Sequence, residues 1–155
     1  MQLNAIVVPV DFSDSSPPAI AAAVDWAQTT GAKLVLVHVI DMVYYDYGWL
    51  YEGVPVPKDI LSRNEDRVRD KMLALVPADV REKLRVESMV VHAQPWEGIL
   101  QAVKDAHADL IVMGTHGRRG LTHMFLGSVA EKVVRLAPCP VLTVKAKAQD
   151  AQPAK

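Results

Sequence analysis

The sequence predicts a doubly wound α/β fold, a five-stranded parallel sheet with helices on both faces. Three observations predict it: apolar runs rich in β-branched residues, helical patterns filling the gaps between them, and a length of 155 residues that suits one compact unit. The runs are nearly continuous rather than alternating, as in strands buried on both faces of a parallel sheet. Strands alternating with helices call for right-handed crossovers.

Residues 5–10 form the first run. Ser16 then precedes Pro17 and Pro18, a capping residue followed by proline where the first helical amides are unpaired anyway. Asp14 and Ser15 are further caps for this helix. Ile20, Ala23, Val24 and Ala27 recur at helical spacing, and Gly31 is placed to end the helix. The second strand is expected over residues 34–40. Residues 41–57 fit no regular element; they are long and aromatic (Tyr44, Tyr45, Tyr47, Trp49, Tyr51), the kind of segment that is often functional.

Residues 58–87 hold 15 of the chain's 35 charged residues. Asp59 with Arg63, and Glu65 with Arg69, are spaced as helix-supporting pairs, and Val68, Met72 and Leu75 supply an apolar stripe. A solvated outer helix follows, ended or kinked by Pro77. Residues 85–91 are a more mixed run, suited to a strand nearer an edge. Pro95 opens a helix with Ile99, Leu100 and Val103 on one face. Residues 110–113 make the fourth strand. The last helix starts near Gly127 and Ser128, runs through Val129, Val133 and Val134, and stops before Pro138; Val141–Val144 is the last strand. The small polar tail is expected to fray, leaving one domain over residues 1–145 and a flexible tail over 146–155.

Composition removes several functions. Seventeen basic residues against eighteen acidic ones give a formal charge of −1, which argues against broad binding to nucleic acid or an anionic membrane. The one cysteine, Cys139, cannot form an internal disulfide, and its place between Pro138 and Pro140 suits a packed thiol better than a nucleophile. The N-terminus lacks the basic region of a signal peptide, and no apolar run approaches the roughly 20 residues of a membrane span. The expected location is cytoplasmic. The five histidines, His38, His92, His107, His116 and His123, lack tight ligand spacing, so all but His116 read as structural or exposed. No Gly-x-Ser-x-Gly elbow is present, which leaves a serine hydrolase unsupported.

In a doubly wound sheet the ligand site lies beyond the carboxyl ends of the strands, where strand order reverses. Those ends are Pro9-Val10-Asp11, Val39-Ile40-Asp41 and Met113-Gly114-Thr115. The third continues into His116-Gly117-Arg118-Arg119-Gly120 and, seven residues later, Gly127-Ser128 at a helix start. Glycines let backbone amides approach a ligand closely, a helix N-terminus favours phosphate, and an arginine can add charge-assisted bonds. By spacing alone, ordinary turn and cap chemistry fits equally well. The loop is neither a P-loop nor the dinucleotide Gly-x-Gly-x-x-Gly fingerprint.

Glycine, two residues, glycine, nine residues, then glycine with serine or threonine describes Gly114, Gly117 and Gly127-Ser128 without a gap. With Pro9-Val10-Asp11-Phe12-Ser13, His38-Val39-Ile40-Asp41 and Pro138-Cys139-Pro140, this pattern resembles the nucleotide-binding branch of the universal stress proteins, over about residues 4–145. The resemblance implies a Rossmann-like, adenine nucleotide alpha hydrolase-like domain that binds ATP, with AMP or ADP as alternatives and Mg²⁺ as a companion. It implies an adenine pocket at Val39 and the backbone around Val10, with Pro9 and Met113 as neighbouring strand ends. By position Asp11 could cap or orient the turn ahead of the first helix, or contact a ligand at a central strand's end. The resemblance implies that it faces ribose and phosphate and makes it the metal candidate. Gly114, His116, Gly117 and Arg118 wrap ribose and phosphates, and Gly127, Ser128 and Val129 bind the phosphate chain. Two features depart from the family pattern: Ala93 stands where a glycine is frequent, and the aromatic segment from Tyr44 to Tyr51 is not a family hallmark.

The function implied is a stress-response protein in which bound ATP acts as a conformational or partner-selection switch. A slow ATP hydrolase, with Asp11 or His116 as conceivable base, and a nucleotide-free interaction protein are the alternatives. No residue is assigned as catalytic. The apolar last strand, as an edge, predicts a homodimer paired through Val141–Val144.

Overall fold

The computed structural model describes residues 3–41, 58–116 and 126–145, with side chains of the middle stretch described from residue 63. Five parallel strands form one sheet: β1 (Ala5–Pro9), β2 (Lys33–Ile40), β3 (Val86–His92), β4 (Leu110–Gly114) and β5 (Val141–Val144). The helices among the described residues are α1 (Ser16–Thr30), α2 (Lys58–Ala74), α3 (Ala78–Lys83), α4 (Pro95–Asp105) and α5 (Ser128–Leu136). Strand order is β3-β2-β1-β4-β5, so the direction of winding reverses between β1 and β4. The doubly wound α/β class expected from the sequence is the class observed.

Residue alternation splits each central strand between two cores, which is why their sequences are apolar throughout. Ile6, Val8, Leu34, Leu36 and Val112 pack under α1 with Met72 and Val76. Val7, Val35, Val37, Ile111 and Met113 pack under α4 and α5 with Ile99, Val103 and Val133. The mixed run at β3 is an edge strand, and β5 is the other edge.

Local chemistry sets the helix limits. Gly31 closes α1 in the left-handed region at φ +75°, with its N–H donated to Ala27 O. Glu65 and Arg69 meet at 3.7 Å on α2, a half-exposed pair worth about 0.3–0.5 kcal/mol.

Two expectations are corrected. Ser15, not Ser16, occupies the N-cap of α1, and no side chain caps the helix there; Ser16 is its first residue and turns its hydroxyl back to Asp11. Leu75 is exposed and Val76 takes its buried place. The reason is local: α2 ends at Ala74, and the chain tightens into i→i+3 bonds from Leu75 N–H to Met72 O and from Val76 N–H to Leu73 O. Helix α5 runs through Val129, Val133 and Val134 as expected; it turns its Ala130–Val133 stripe to the sheet and leaves Val134 exposed. The Asp59–Arg63 pair, His123, the aromatic segment and the tail fall outside the side chains or residues described.

Candidate functional site

The crevice at the reversal of strand order is bounded by the β1–α1 turn and by the end of β4. At the first, Val10 extends β1 by one bond, its N–H donated to Val37 O at 2.7 Å. Asp11 then fixes the turn. Its Oδ1 accepts from Ser13 N–H (3.0 Å), Ser13 O–H (2.6 Å) and Ser16 O–H (2.9 Å), and its own N–H reaches Ser16 Oγ at 3.3 Å. The Asp-x-Ser spacing is an Asx turn, in which a short carboxylate captures an amide two residues on. It holds Phe12 at φ +61°, a left-handed conformation costing a bulky side chain about 1–2 kcal/mol. His38 supports the turn from β2, with Nδ1 at 2.7 Å from Val10 O and its ring 5.0 Å from that of Phe12.

At the second wall, Gly114 lies against the N-cap of α1. A Cβ added there falls 2.6 Å from Ser15 Cβ, so only glycine lets the two crevice walls come this close. Beyond it, Thr115 donates its N–H to Val144 O (3.0 Å), and its carbonyl accepts Gly127 N–H (2.7 Å). The two ends of the glycine loop are therefore closed on each other. Gly127 is the N-cap of α5 and offers no side-chain acceptor, so the helix begins without a side-chain cap. Uncapped first-turn amides with an aligned dipole attract anions.

The three buried polar residues among those described are Ser15, Ser16 and Thr115, and all three sit at this crevice. Burying polar groups is costly without hydrogen bonds, so concentrating them at one end of the sheet marks that end as more than packing.

The candidate residues divide accordingly. Pro9, Val10, Asp11, Gly114 and His116 border the crevice, and Gly127 and Ser128 form the N-terminus of α5 tied to it. Val39 extends beyond the Pro9–Val37 pairing and reaches the level of Asp11. Its side chain packs on α4, where a Cβ on Gly98 would fall 2.6 Å from Val39 Cγ1. Met113 and Val129 pack into the core under α4 and α5, so any part they take beyond packing falls to their backbone. Gly117 and Arg118 lie outside the described residues. Thr115, Gly98 and His38 escaped the sequence reading as site-building residues; only the hydroxyl in Gly-Thr-His-Gly was a visible sign.

Other reactive groups find structural roles. His92 Nε2 meets Glu65 Oε1 at 2.8 Å, and His107 sits at φ +49° after α4. Burial, reinforced by the charge of Asp109, pushes the Cys139 thiol up and keeps it protonated. No group of three or more potential metal ligands occurs among the described residues. No helix among them is long and apolar enough to cross a membrane.

Comparison with known proteins agrees with this frame. The universal stress protein in the QAH/OAS sulfhydrylase 3′ region of Thermus aquaticus is 38% identical over 143 residues, 90% of this chain and 97% of that protein. The structure of hypothetical protein MJ0577 superposes with a TM-score of 0.78 at 26% identity, covering 95% of this chain and 99% of that one. A universal stress protein in complex with cAMP superposes with a TM-score of 0.60 at 25% identity, over 94% and 99% of the two chains. The model of the universal stress protein family matches residues 3–145, from just ahead of β1 to just past β5. Both helical layers and the whole sheet fall inside that match, and the chain belongs to the universal stress protein family.

Proposed function

We propose that this chain is a stress-response protein that binds an adenine nucleotide, ATP foremost, in the crevice between β1 and β4, and that occupancy switches its conformation or its choice of partner. The observation that carries the reading is the meeting, at the reversal of strand order, of the locked Asp11 turn, Gly114 and the uncapped N-terminus of α5. The relative solved with cAMP supports it, since that ligand also joins an adenine to a phosphate.

The backbone at Pro9, Val10 and Val39, next to Met113, takes the adenine. Gly114, His116, Gly117 and Arg118 take ribose and phosphates; Gly127, Ser128 and Val129 take the phosphate chain. Asp11 orients the β1–α1 turn and is the protein carboxylate for Mg²⁺. A single carboxylate together with nucleotide phosphates is a common mode for that ion. Self-association through β5, AMP or ADP as alternative ligands, and a cytoplasmic location belong to the same reading.

Calorimetric titration with ATP and Mg²⁺ tests it. Wild type is expected to give saturable one-site heat. Ser128→Glu places a negative charge at the start of α5, which suits the helix dipole but repels phosphate, so it should fold normally and lose binding. Equal, negligible heats for both proteins defeat the proposal.

A further inference from the structure

Thr115 is 5% exposed and spends each of its hydrogen-bonding groups on a different partner. Its N–H holds the end of β5 at Val144 O, and its carbonyl holds the N-cap of α5 at Gly127 N–H. Its hydroxyl joins His116 Nδ1 at 3.0 Å. Packing alone does not call for that hydroxyl: valine has nearly the same branched shape. A hydroxyl in a buried position is kept for the bond it makes, and here its partner is the half-buried imidazole that leads into the glycine loop.

We propose that Thr115 is a positioning residue of the crevice, in which its hydroxyl sets the orientation of His116 and its backbone couples occupancy of the crevice to the edge strand β5. The inference rests on the nucleotide reading given above. A ligand that draws together the Gly114–His116 segment and the α5 N-terminus shortens or stiffens the Thr115–Gly127 bond. Because the same peptide unit series holds Val144, that stiffening reaches β5. Coupling of this kind is reciprocal: whatever clamps the end of β5 also favours the crevice geometry at Gly114–His116 that binds the ligand.

The experiment compares wild type, Thr115→Val and Thr115→Ser in ATP–Mg²⁺ titrations, alongside amide hydrogen exchange of wild type with and without ATP. Thr115→Val should bind about 3- to 10-fold more weakly, the range set by one lost hydrogen bond, and Thr115→Ser, which restores the hydroxyl, should return to within about twofold. In wild type, saturating ATP should slow exchange at Thr115 and Gly127 by about tenfold or more. Lys33, whose N–H is held by Asn4 O at the opposite end of the sheet, should not follow. Unchanged affinity in Thr115→Val, or a serine variant no better than valine, overturns the role of the hydroxyl. Exchange that is unaffected, or slowed equally at Lys33, overturns the coupling even where the valine variant fails to fold. Absence of ATP binding by wild type overturns the nucleotide reading itself, and this proposal with it.

Discussion

Single atoms decide how closely the crevice walls approach. Gly98 and Gly114 each stand where a Cβ has 2.6 Å of room, against Val39 Cγ1 and Ser15 Cβ respectively. Gly98→Ala forces α4 away from β2 and is expected to cost about 1–3 kcal/mol by urea denaturation, the range of overpacking substitutions; an unchanged midpoint contradicts the close packing. At the opposite end of the sheet, Asp109 Oδ2 accepts N–H groups from Asn4 (2.7 Å) and Ala5 (3.2 Å). Those backbone bonds hold its carboxyl below the ordinary value of about 4. A group with a lowered folded-state pKa contributes stability that is present above its unfolded pKa and lost as pH falls through the folded one. Wild type should therefore lose stability as pH falls below about 4, and Asp109→Asn should flatten that part of the profile. Identical acid profiles for the two proteins contradict the assignment.

Elements were largely legible because their signals are local. Near-continuous β-branched runs marked four strands and a more mixed run marked edge strand β3, each to within a residue or two, and Gly31, Pro77 and Pro95 punctuated the helices where prolines and glycines must. The misses have physical causes. Helix α2 tightens at its end and exchanges Leu75 for Val76, while α1 starts one residue early, so that Ser15 takes the N-cap and Ser16 turns to Asp11. The glycine spacing of the candidate site is a local pattern and could be read directly. The Gly98–Val39 contact, the His38 support of the β1–α1 turn and the Thr115 bonds join residues distant in sequence, and no periodicity encodes them. Edge strand β5 carries its own prediction. The carbonyls of Pro140 and Val144 turn to β4, so by strand alternation the N–H of Thr143 faces the open edge. Thr143→Pro removes that donor without removing a bond to β4, and should convert a light-scattering dimer to a folded monomer. A wild-type protein already monomeric at micromolar concentration contradicts pairing through β5.

At the scale of the whole molecule, the two ends of the five-stranded sheet differ in character. The N-terminal ends of the strands are closed by ordinary backbone bonds and by Asp109, whereas the carboxyl ends collect the three buried polar residues among those described. A ligand bound only by the folded state stabilises it by mass action, about 2.7 kcal/mol at a hundredfold excess over its dissociation constant. Millimolar ATP with Mg²⁺ should therefore raise the melting temperature by several degrees if its dissociation constant is micromolar. A protein that purifies without nucleotide and shows no shift fits the nucleotide-free interaction reading instead. Mapping of amide chemical shifts during titration with ATP and Mg²⁺ places the site most directly. The expected result is saturable change concentrated at Asp11, Val39, Gly114, Thr115, His116, Gly127 and Ser128; absence of change there, or change centred on Asn4, Lys33 and Asp109, contradicts a nucleotide crevice between β1 and β4.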